Sequence, residues 1–189
     1  MFTILVIFVY IFVFSITKPR ETIEVEETLL IRMCAVHRLP PEWNYDEYKI
    51  SIQVYHGSRP IAEPLHTIFQ TQTKSFYDRI VFDSWLESKL TKIFELPRES
   101  RIVLTLFSRH MVTEDKETKF VHTELGWSSL QLFNYDGFLV QGTFLLNLWP
   151  IEAEKQVGPA PDNGSHPNAD TCPLLRYFHE FCFLFFYLH

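Results

Sequence analysis

Apolar and polar residues alternate with a period of two through the middle of the chain. At 48–55, Tyr48, Ile50, Ile52 and Val54 fall on one face, with Lys49, Ser51, Gln53 and Tyr55 on the other. Leu29, Ile31, Met33 and Ala35 form an earlier stripe. Ile80 and Phe82 begin another, with Asp83 and Trp85 opposite them, and Ile102, Leu104 and Leu106 follow. Phe144, Leu146 and Leu148 supply a last one. The turn residues HGSRP at 56–60 interrupt the pattern, as do Gly126, Gly137 and Gly142. No long stretch of helical period separates these runs. The pattern predicts an all-β, eight-stranded antiparallel β-sandwich. Two segments read as long loops, 109–123 because it is polar and mixed in charge, and 151–172 because it is rich in proline and glycine.

The ends differ from the middle. Residues 2–16 (FTILVIFVYIFVFSI) carry no charge and precede Lys18, Pro19 and Arg20. As a helix this run would be about 22 Å long, short of the roughly 30 Å bilayer core. Lys18 and Arg20 would keep the domain behind such an anchor cytoplasmic. The run lacks an A-x-A-like cleavage site, which weighs against a signal peptide. Nine of the 18 phenylalanines fall in 1–16 and 175–189, a bias that also fits translated non-coding sequence at the edges of a gene model. The expected organisation is an apolar segment and acidic linker at 1–26, a sandwich at 27–176, and an aromatic-rich tail at 177–189. An incomplete final strand is expected.

Composition narrows the function. The chain has 189 residues, enough for one domain with a sizeable core. A net charge of −6 disfavours nucleic acid as a partner. Three widely spaced cysteines, Cys34, Cys172 and Cys182, point to a reducing, cytoplasmic compartment rather than a disulfide framework. No nucleotide loop, nucleophile elbow or zinc-protease motif is present, which leaves no catalytic residue to name. The eight histidines lack ligand spacing, so no metal and no cofactor is expected. Carboxylates at 42–47 and 114–117 show no paired Asp-x-Asp pattern, so calcium-independent behaviour is expected. Residues 88–119 carry a surplus of two positive charges. Lys89, Lys92, Arg109, Lys116 and Lys119 are therefore the candidate contacts to an anionic membrane surface, each worth about 1 kcal/mol near the leaflet.

Several segments carry a family resemblance when taken in order: AVHRLPPEW at 35–43, YHG at 55–57, FDSW at 82–85, LPRES at 96–100, ELGW at 124–127, LF at 132–133 and LWP at 148–150. Together they resemble the C2 domain of phosphoinositide 3-kinases, most of all class II, over residues 27–176. The residues that bear the likeness are His56, Gly57, Leu96, Pro97, Arg98, Gly126, Trp127, Trp149 and Pro150. The resemblance implies a non-catalytic module that docks on phosphoinositide-containing or anionic membranes. It would also contact the helical and kinase domains of a parent enzyme or other signalling proteins, with the catalytic domain outside this chain. A single-pass anchored scaffold carrying the same sandwich is the alternative.

Overall fold

A computed structural model describes residues 6–12, 27–74, 78–114 and 117–150. Two antiparallel sheets face each other. The first holds four strands in the order β6–β2–β1–β9: β6 (Arg79–Lys92), β2 (Thr28–His37), β1 (Val6–Phe12) and β9 (Gly142–Asn147). The second follows the order β10–β8–β7–β3–β4: β10 (Trp149–Pro150), β8 (Glu117–Gln131), β7 (Ser100–Glu114), β3 (Glu47–His56) and β4 (Arg59–Pro60). The short β5 (Leu65–His66) also pairs with β3. No α-helix occurs among the described residues. The all-β antiparallel sandwich expected from the alternation is the architecture found.

The core is built from the stripes read in the sequence. Tyr48, Ile50, Ile52 and Val54 of β3 turn inward, as do Ile102, Leu104 and Leu106 of β7. They meet Leu29, Ile31 and Met33 of β2 and Ile80 and Phe82 of β6 from the facing sheet. Phe144, Leu146 and Leu148 are partly buried against this cluster. Register follows from the pattern, because a one-residue slip would turn each stripe to solvent. Asp83 has φ +42° where β6 bulges against β2, and its carboxylate accepts from Arg32 Nε at 2.9 Å.

Two expectations do not hold over the described residues. Residues 109–123 are not a loop. Strands β7 and β8 continue through this segment and pair as far as Glu114 and Glu117. The adjoining strand β3 stops at Glu47 opposite Arg109, so the hairpin beyond Arg109 is a two-stranded arm. With solvent on both faces, it needs no apolar alternation, and charged residues interleave with Met111, Val112, Phe120 and Val121 along its sequence. The second departure lies at the start of the chain. Val6–Phe12 is a strand, not a helix, and lies ahead of the boundary expected at residue 27. An uninterrupted apolar run carries no period to separate helix from strand. Its abundance of β-branched and aromatic residues favours the pleated form. No helix among the described residues is long and apolar enough to cross a membrane. The proline-rich segment 151–172 and the tail 177–189 lie outside the described residues, as does any final strand there.

Candidate functional site

Three turns meet at one end of the sandwich. The first joins β3 to β4, where His56 pairs with Arg59 across Gly57 and Ser58. Gly57 has φ +58°, left-handed backbone that glycine adopts without a Cβ penalty. The second joins β6 to β7. A 3₁₀ turn, Ile93–Glu95, buries Ile93 and leaves Phe94 outside, while the Lys92 N–H donates to Glu95 Oε2 at 3.3 Å. Leu96 is buried next to it. The Ser100 N–H then donates to Pro97 O at 2.9 Å, which leaves Arg98 and Glu99 exposed at the tip.

The third turn follows β8. Leu132 and Phe133 anchor it in the core. The Asn134 side chain accepts the Phe138 N–H at 2.9 Å, and the Gly137 N–H donates to Asn134 O at 2.9 Å. These bonds close the turn with Tyr135 fully exposed at its tip and Phe138 47% exposed beside it. Gly137 has φ +83°, and a β-carbon on it would lie 3.0 Å from Arg98 Cζ. Glycine at this position lets the third turn sit down on the second.

Cross-links hold the three turns as one surface. Arg101 Nη2 donates to Gly57 O at 2.9 Å, and His56 Nε2 lies 3.0 Å from Glu99 Oε2. The Leu132 N–H donates to Ser100 O at 2.9 Å. The surface carries Arg59, Lys92, Arg98 and Arg101 against Glu95, Glu99 and Asp136, a surplus of one positive charge. Lys92 Nζ lies 5.6 Å from the Phe94 ring centroid. Exposed aromatic rings on turns that also carry cations suit a boundary between water and lipid headgroups: the rings lose water-exposed apolar area while the cations stay wet.

Of the five cations expected to contact a membrane, the described Lys92 and Arg109 lie at opposite ends of the sandwich. Lys92 belongs to the turn surface, and Lys89 precedes it on β6 with its side chain outside the description. Arg109 lies nine residues along β7 from Ser100, about 30 Å away. Its guanidinium is paired with Glu47 and stacked between Phe69 and Phe120, with Cζ 3.9 and 4.6 Å from the ring centroids. Lys49 Nζ is 5.3 Å from the centroid of the same Phe69 ring. Lys119 is exposed on the arm, and Lys116 lies outside the described residues. The arm also exposes Met111, Phe120 and Val121, but near its base Asp46 accepts the Met111 N–H at 2.8 Å and Glu47 pairs with Arg109.

The nine residues that carry the family likeness fall into two groups. His56, Gly57, Leu96, Pro97 and Arg98 build the turn surface. Gly126 and Trp127 of β8 pair with Pro150 and Trp149 of β10 at the sheet edge. Sequence reasoning missed Arg59, Phe94, Tyr135 and Phe138. The Asp136-Gly137 pair marked the turn that lifts Tyr135 to its tip. Among the described residues, no group of three or more His, Cys, Asp or Glu side chains could hold a metal ion.

Residues 44–172 match the family model described as phosphoinositide 3-kinase C2, and the chain belongs to that family. It is 28% identical over 142 residues to human phosphatidylinositol 4-phosphate 3-kinase C2 domain-containing subunit beta, covering 71% of this chain and 9% of that protein. It is 28% identical over 155 residues to phosphatidylinositol 3-kinase piki-1 of Caenorhabditis elegans, covering 77% and 10%. The alpha subunit of Pongo abelii is 30% identical over 143 residues, covering 71% and 8%. The chain thus spans about a tenth of the length of these relatives, and the class II likeness agrees with their names.

Proposed function

We propose that the chain is a docking module, without chemistry of its own, that brings a phosphatidylinositol 3-kinase-type protein to anionic, phosphoinositide-containing membranes in the cytoplasm. The observation that carries this reading is the cross-linked turn surface, with Phe94, Tyr135 and Phe138 exposed among Arg59, Lys92 and Arg98. Each ring that enters the headgroup region contributes about 1–2 kcal/mol, and each cation near the leaflet about 1 kcal/mol. A surplus of one charge keeps the binding weak and reversible, as befits a module acting beside other determinants in a larger protein. Contacts with helical and kinase domains of such a protein are part of the same proposal. Docking is independent of calcium, because the turn surface relies on side-chain cations rather than a carboxylate cage.

The test is co-sedimentation of the full-length chain with phosphatidylcholine vesicles containing about 20% anionic lipid, in EDTA and in calcium. Equal binding in both, weakened by salt and absent without anionic lipid, is expected. Binding seen only with calcium refutes the calcium-independent mode. No binding in either buffer leaves protein contact as the module's role.

A further inference from the structure

Val6–Phe12 holds a position that an appendage would not. It lies between β2 and β9, antiparallel to both. Each residue from Val6 to Ile11 has a partner on either side, Val9 facing Met33 and Phe144, and Ile11 facing Ile31 and Gly142. Ile7, Val9 and Ile11 are fully buried in the same core as Ile31 and Met33. Among the described residues, β9 pairs with no strand other than β1. Without β1 the four-stranded sheet would reduce to β6 and β2, and β9 would have no ladder. Two facing edges with unmet N–H and C=O groups would then flank an apolar trough.

The tether is long. Phe12 pairs with Leu30, and residues 13–27 connect the two strands, fifteen residues where a hairpin closes in two to five. The segment itself is joined to the sheet by its two ladders and its buried side chains. We propose that the trough between β2 and β9 is a strand-acceptor site for an extended apolar peptide with β-branched residues at every second position, and that Val6–Phe12 is its built-in ligand. The inference does not rest on membrane docking by the turn surface. It bears on the N-terminal segment as an anchor, because a strand laddered on both edges is not available to a bilayer while the sandwich is intact.

Hydrogen exchange on the full-length chain, followed by mass spectrometry, tests the occupant. Amides of 6–12 should exchange at least about 100-fold more slowly than unstructured chain, as should those of β9. In Val9→Asp, β1 and β9 should lose protection together while β3 and β7 keep theirs. Free exchange at 6–12 with β9 still protected would overturn the proposal. A biotinylated synthetic peptide of residues 5–13 tests the site itself. It should capture the full-length Val9→Asp/Ile11→Asp chain and not the wild type, whose trough is filled. Equal capture of both, or capture of neither, would overturn it.

Discussion

Replacing Phe138 by serine removes a ring from the turn surface with little effect on the fold. Phe138 is 47% exposed, and its N–H bond to Asn134 Oδ1 involves only backbone on its own side. A phenylalanine presents roughly 200 Å² of surface, so about 95 Å² is open to be covered by lipid. At about 25 cal/mol per Å², complete coverage contributes about 2 kcal/mol and half coverage about 1 kcal/mol. Phe138→Ser should therefore lower the partition coefficient onto anionic vesicles about 5- to 30-fold. Titration of the full-length chain with vesicles, read by tryptophan fluorescence or sedimentation, measures this. Urea unfolding run in parallel should give a midpoint close to wild type. A change of less than about two-fold in partitioning, with folding unaltered, refutes the assignment of this ring to the interface.

Other outcomes follow from the same geometry. Arg109→Ala loses two ring contacts and an ion pair whose side chains are 26% and 30% exposed, and should cost about 2 kcal/mol by urea denaturation, Arg109→Lys recovering less than half. An unchanged midpoint would show that the stack contributes nothing. Gly57→Ala meets no atom within 4 Å, so its cost of about 1 kcal/mol comes from backbone at φ +58° alone, and Gly57→Asn should cost less. Burial, reinforced by the charges of Arg79 and Arg38, lowers the pKa of His37 below its ordinary value. The unfolded chain then takes up the proton first, so stability should fall as pH drops below about 6.5 and level off below the folded-state pKa. His37→Gln should flatten this decline between pH 7.5 and 5.5, and an equally steep decline would exclude His37 as its source. His66 is shifted the same way, first by burial and then by Lys49, and adds a slope of the same sign.

The register of the core was legible because four of its stripes each place one buried face in a regular period of two. Tyr48 to Val54 reads without ambiguity, since every inward position is apolar and every outward one is polar or half-polar. The arm beyond Arg109 was not legible, because a strand pair wet on both faces has no reason to alternate. Val6–Phe12 was not legible as a strand for the opposite reason: every position is apolar, so no period separates strand from helix. The spacing of the cations was not legible either. Lys92 and Arg109 are near in sequence, but an extended strand carries the chain to the far end of the sandwich in that distance. The turn surface was half legible. His56, Gly57 and Arg98 were marked by their turns, but the exposure of Tyr135 and Phe138 depends on how three separate turns close on one another through Arg98 and Gly137.

The docking account turns on which end of the sandwich meets lipid. A bimane label on Phe138→Cys, or on Phe120→Cys of the arm, in a full-length chain with its three native cysteines replaced by serine, reports this through quenching by spin-labelled lipids. The account predicts quenching at position 138 on anionic vesicles, in EDTA, and little at 120. Quenching at 120 with none at 138 would contradict it and move the docking surface to the arm.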